Sequence, residues 1–195
     1  MKQPGRQSLL SRRRFATSLL SLCLVSLTFF SSVPTCQGRD LPEHQIKAAF
    51  LFNFAAFVSW PEGLFESADT PLRFCTMEAD AISRTLEQLI SGESLDGRPL
   101  ELIRLGIKPD ITGCHILFLG SEAVYRTLSQ VGQSPGMLTV GDTEKFIERG
   151  GMIALLRQRK RIHPVINLNA LDESTLRLSS KLLRLATRVR PGSGK

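Results

Sequence analysis

From Ala48 to Trp60 only Asn53 and Ser59 interrupt a run of apolar side chains. Residues 44–62 (HQIKAAFLFNFAAFVSWPE) therefore predict a helix that is apolar on nearly every face and must be covered almost all round. The run is shorter than the about 20 apolar residues a bilayer span requires, so protein has to supply the cover. Pro61 predicts its end, because the residue before a proline is pushed out of the α region.

Downstream the hydrophobic period changes. Residues 72–77 (LRFCTM) alternate and are rich in strand formers, which predicts a first strand. Residues 79–90 follow with Ile82, Leu86, Leu89 and Ile90 at helical spacing; Ser91-Gly92 ends that helix and Asp96-Gly97 turns the chain into a second strand at 100–105. Residues 114–119 (CHILFL) form an unbroken apolar run, the pattern of a strand covered on both faces. A helix is predicted over 121–129 with Ser121 as its N-cap, then a fourth strand over 136–140 and a two-turn helix over 143–148. Gly150-Gly151 suits a turn with positive φ. Residues 152–156 and 162–168 read as antiparallel strands joined through a basic tip, followed by a short helix over 171–176 and a last one over 179–188 with Leu182, Leu183, Leu185 and Ala186 facing in. This alternation predicts a single-domain α/β sandwich with a mostly parallel, mixed sheet of about six strands and helices on both faces.

The N-terminus is set apart from this pattern. Lys2, Arg6, Arg12, Arg13 and Arg14 precede an apolar stretch from Phe15 to Phe30, which marks residues 1–38 as an export signal, Sec-type or twin-arginine-like at Ser11-Arg12-Arg13-Arg14-Phe15. Pro34 and Thr35 make Cys36 a poor lipidation site. Residues 39–190 are then the folded domain, with 191–195 as a basic tail and no membrane span once the signal is removed. Export also changes the charge reading. The signal holds five of the 25 basic residues and none of the 18 acidic ones, so the net charge falls from +7 to 20 − 18 = +2. What remains is a local cluster, Arg157, Arg159, Lys160 and Arg161, without interleaved aromatics, which argues against nucleic-acid binding.

The chain carries no P-loop, nucleophile elbow or zinc-helix motif. His44, His115 and His163 lack ligand-spaced neighbours other than Cys114 beside His115, and adjacent strand residues face opposite ways, so neither a metal nor another cofactor is expected. Asp142 ends a strand where α/β proteins place their sites; its plainer role is to cap the following helix. Asn167 and Asn169 suit backbone capping in the final turns. With Cys23 in the signal and Cys36 near the cut, export makes a Cys75–Cys114 disulfide the default, two reduced core cysteines being the alternative.

Several pieces in order resemble the YfiR family: Asn53-Phe54-Ala55 through Trp60-Pro61, Cys75 with Cys114, Leu138-Thr139-Val140-Gly141-Asp142, Gly150-Gly151-Met152-Ile153, Ile166-Asn167-Leu168-Asn169, and Ser179-Ser180-Lys181-Leu182-Leu183-Arg184-Leu185-Ala186. The resemblance implies a non-enzymatic exported protein that binds the periplasmic domain of an inner-membrane diguanylate cyclase or related sensor, represses it and so lowers cyclic di-GMP and biofilm output. A homodimer is a further expected arrangement. Trp60, Phe65 and the edge formed by Ile166, Asn167 and Asn169 are the candidate partner-binding residues. One departure stands out: Pro164 occupies a place where the family commonly has phenylalanine, and since proline removes a ladder donor, its strand is expected to be an edge or to begin late. The alternative from another class is a periplasmic small-ligand-binding protein serving a transporter or sensor.

Overall fold

The computed structural model describes residues 40–106, 109–120, 134 and 136–192. In chain order the elements are α1 (Glu43–Phe57), β1 (Val58–Ser59), β2 (Leu72–Met77), α2 (Asp80–Ile90), β3 (Ser94–Leu95), β4 (Arg98–Leu105), β5 (Ile116–Leu119), β6 (Leu138–Gly141), α3 (Glu144–Glu148), β7 (Ile153–Gln158), β8 (Arg161–Asn167), α4 (Leu168–Asp172), β9 (Arg177–Leu178), α5 (Ser180–Leu185) and β10 (Thr187–Val189). The helix predicted over 121–129 lies outside the described residues.

Eight strands form one mixed sheet in the order β10-β8-β7-β6-β5-β2-β4-β3. From β4 through β2, β5 and β6 to β7 all neighbours are parallel, while β3 on β4 and β8 on β7 are antiparallel. The fold is thus α/β with a mostly parallel sheet. β2 has its successor β4 on one side and β5 on the other, so the strand order reverses between β2 and β5.

The apolar run 116–119 is fully buried because β5 is central and covered on both faces. On one face α1, α2 and Leu182 of α5 close a core around Leu51, Phe54, Phe74, Leu86, Phe118 and Ile166. On the other, Phe146 and Ile147 of α3 pack with Cys75, Met77, Leu117, Leu119 and Ala154. Phe146 needs room there: a Cβ on Gly141 or Gly151 would fall on its ring. Only Gly150 of the glycine pair has positive φ, at 93°, so the two glycines serve different purposes.

Helix α1 departs from expectation twice. Its buried residues Lys47, Ala48, Leu51, Phe54 and Ala55 form one stripe, whereas Asn53 and Ala56 are exposed and Phe52 and Phe57 half-buried, so cover is one-sided. It also stops at Phe57 rather than at Pro61. Val58 turns extended (φ −107°, ψ 129°) and, with Ser59, pairs with Leu178 and Arg177 of β9. Tertiary pairing ends this helix before the proline can.

The C-terminus differs as well. The last helix ends at Leu185, and Thr187, Arg188 and Val189 add a strand parallel to β8. β8 is therefore not an edge, and it begins at Arg161, ahead of Pro164. The missing donor is tolerated because β10 pairs only with Val165, Ile166 and Asn167, leaving Pro164 one residue outside that ladder.

Candidate functional site

Helix α1 runs across one sheet face, and its two ends frame two side-chain clusters. At its N-terminal end Lys47, 6% exposed, sets its Nζ 2.6 Å from Glu43 Oε1 and 3.0 Å from Asp142 Oδ2. Asp142 stands immediately after β6. It is not the cap of α3: Thr143 Oγ1 accepts the Phe146 N–H at 3.2 Å instead. Glu43 also takes Arg157 Nη1 at 3.1 Å. Hydrogen bonding from Lys47 is the largest influence on the Glu43 carboxyl; burial opposes it, and the Lys47 charge with the hydrogen bond and charge of Arg157 keep the carboxyl below its usual range. Asp142 Oδ1 is buried without a hydrogen-bond partner. Beside this cluster a shallow cleft of about 380 Å³, lined by Glu43, His44, Lys47 and residues 78–82, opens at the carboxyl end of β2.

At the other end of α1, beneath the amino ends of the strands, lies an aromatic cluster around His115, which is 4% exposed. Its Nδ1 accepts the Arg73 backbone N–H at 3.0 Å, which fixes the neutral tautomer with the proton on Nε2. Phe65 stacks on one face of the imidazole at 4.6 Å between centroids, and Trp60 meets it edge-on at 6.1 Å. The Arg98 guanidinium covers the other side of Phe65, 3.8 Å from its centroid. Arg98 is held in turn by the carbonyls of Ser67 and Thr70. Burial, then the charges of Arg73 and Arg98, pushes the His115 pKa down to about 4. His115 is thus a satisfied structural imidazole. Beside it Cys114 is joined to Cys75 of β2, with 5.8 Å between their Cα atoms.

The remaining candidates belong to the end of β8. Ile166 is fully buried. Asn167, 3% exposed, caps α4 by accepting the N–H groups of Asn169 and Ala170 and donates to the Ile147 carbonyl. Both side chains are turned into the fold. Asn169 is half-buried and ties down the C-terminal segment, donating to the Pro191 carbonyl and accepting from Arg190. The structure therefore brings Trp60 and Phe65 together around His115 and sets Ile166, Asn167 and Asn169 in a separate capping knot.

Sequence reasoning missed Lys47 and Arg98. Glu43 and Lys47 at i, i+4 were a readable pair, but Asp142, 95 residues further on, gave no local signal.

No described helix is long and apolar enough to cross a membrane, and among the described residues no three metal-ligating side chains cluster. Comparison with curated proteins returns none that matches. A scan of protein-family profiles matches residues 44–187 to a family described as YfiR/HmsC-like. That span takes in all of α1 but its first residue, the disulfide, the parallel strands β4, β2, β5, β6 and β7 and the β7–β8 hairpin, and on it this chain belongs to the YfiR/HmsC-like family.

Proposed function

We propose that the protein is a non-enzymatic periplasmic regulator that binds the periplasmic part of an inner-membrane diguanylate cyclase, or a related sensor, and holds it inactive, so lowering cyclic di-GMP. The observation that carries this reading is the family match over residues 44–187. The outward stripe of α1 is the surface it would use. Asn53 folds its amide back onto the Ala49 carbonyl at 2.6 Å, so a stripe of Ala49, Phe52, Asn53 and Ala56 offers mostly carbon to solvent, with half-buried Trp60 at its far end. Phe65, with both ring faces taken by His115 and Arg98, contributes only its edge. Repression is then differential binding: the regulator shifts the sensor's equilibrium only by the ratio of its affinities for the off and on states, each tenfold needing about 1.4 kcal/mol.

The test is cellular cyclic di-GMP with and without the gene, complemented by wild type or by Ala56→Asp, which places a charge on an exposed position. A rise on deletion, reversed by wild type and not by Ala56→Asp of unchanged thermal stability, is expected. An unchanged level on deletion, with the protein shown to be expressed and exported, sinks the repressor reading. The cleft at the carboxyl end of β2 favours a second reading, a small-ligand-binding protein, because it lies where the strand order reverses. Native mass spectrometry of protein purified from its own compartment separates the two, since only that reading expects a bound metabolite.

A further inference from the structure

The β7–β8 hairpin outruns its neighbours. β6 pairs only with Ile153 and Ala154, and β10 only with Val165, Ile166 and Asn167. The four rungs from Leu155↔Pro164 to Gln158↔Arg161 therefore extend, by roughly 13 Å, past both flanking strands. Buried Leu155 and Ile162 seat the base of this ribbon on the core, and Arg157 anchors it to Glu43 at the start of α1.

Beyond that anchor it is cationic. Arg157, Arg159, Lys160 and Arg161 are all exposed, and no acidic residue occurs between Gly151 and Leu171. Among the described residues Arg159, Lys160 and Arg161 form no ion pair. Without those four cations, residues 39–195 would carry 16 basic and 18 acidic side chains, a net charge of −2. The domain is thus polarised, and near a negative surface it turns this ribbon forward. The turn itself is unusual: Arg159 has φ 57°, in the left-handed region that such turns normally fill with glycine or asparagine. The chain keeps a cation where glycine would relieve the backbone.

We propose that the β7–β8 ribbon is a membrane-contact arm that seats its cationic tip on anionic phospholipid headgroups. Its chemistry favours a lipid surface over a protein partner. No aromatic or fully exposed aliphatic side chain stands at the tip to anchor a protein interface. Among the described residues no carboxylate holds Arg159, Lys160 or Arg161, which suits a diffuse layer of phosphates better than a single fixed anion. The contact is peripheral and salt-sensitive, since nothing at the tip inserts into hydrocarbon. This inference does not rest on the identity of the regulated sensor.

Co-sedimentation of the mature protein with vesicles tests it. Binding is expected to vesicles of phosphatidylglycerol and phosphatidylcholine in equal parts and not to phosphatidylcholine alone, and it should be lost at about 0.5 M salt. The exposed triple variant R159Q/K160Q/R161Q should bind about a hundredfold more weakly, from about fivefold per cation, with thermal stability unchanged. R177Q/R184Q/R188Q, which removes three exposed cations elsewhere, should bind as wild type. Equal binding to both vesicle types, no binding to the anionic ones at low salt, or undiminished binding by R159Q/K160Q/R161Q overturns the proposal. So does absent vesicle binding combined with loss of affinity by that variant for the soluble sensor domain, which would make the arm a protein-binding element.

Discussion

Mild acid should destabilise this fold through one imidazole. His115 is kept neutral because protonation would place a buried cation between Phe65 and Trp60, near Arg73 and Arg98, and would break the bond that Nδ1 accepts from Arg73. Its folded pKa of about 4 lies below the unfolded value of 6.5. The unfolded chain therefore binds a proton that the folded one refuses, and stability is full above pH 6.5 and is lost as pH falls from there toward 4. Integrated over that gap, the loss is about 2 kcal/mol at pH 5, with a ceiling of about 3.4 kcal/mol at complete protonation. Solvent reaching the rim of the half-buried Trp60–Phe65 cover can only reduce these figures. In a domain of this size about 2 kcal/mol corresponds to a fall of about 4–8 °C in Tm. Trp60, the sole tryptophan of the chain and 6.1 Å from the imidazole, reports both unfolding and protonation. Urea unfolding followed by its fluorescence at pH 8 and pH 5, in wild type and His115→Gln, is the assay. Glutamine keeps an acceptor for the Arg73 N–H and does not titrate, so the variant should lose most of the pH 8-to-5 difference. An undiminished difference in His115→Gln would falsify the assignment. The depressed Glu43 carboxyl acts in a separate window, its contribution being present above 4.5 and lost below it.

Other consequences are as sharply testable. Lys47→Met leaves the part-buried Asp142 carboxylate without its cation, beside a Glu43 that keeps only Arg157; a loss of about 2–4 kcal/mol is expected, and adding Asp142→Asn should restore part of it in chemical denaturation. Closing a loop with a sequence separation of 39, the Cys75–Cys114 bond should contribute about 4 kcal/mol in the chain-entropy picture, so the double serine variant should unfold at correspondingly lower urea; unchanged stability together with unchanged repression would also remove any redox role for the pair. Gly151→Ala should cost about 1–3 kcal/mol through its clash with Phe146 and be partly rescued by Phe146→Leu, whereas Gly150→Ala, strained by its φ in open space, should not be.

Much of this protein is written locally. The helical spacing of Ile82, Leu86 and Ile90 and the continuous apolar run into Leu119 define α2 and β5, because each pattern reflects which faces of one element leave water, and the strand formers at 72–77 mark β2 although it is buried on both faces. The six ordered motifs likewise carry the family. What the sequence did not carry were features set by a distant neighbour. Thr187 and Arg188 continue the helical pattern that precedes them, yet Thr187, Arg188 and Val189 form β10 because the edge of β8 offers them unpaired backbone groups. Val58 and Ser59 leave the helix for β9, and Asp142 turns from the helix beside it to a lysine 95 residues back. Ile166 and Asn167 read as part of an edge because Pro164 removes a ladder donor, whereas β10 in fact covers them. Local propensity is worth a few tenths of a kcal/mol per residue, whereas a backbone group or charge buried without a partner costs several times more; where the two conflict, the tertiary partner decides.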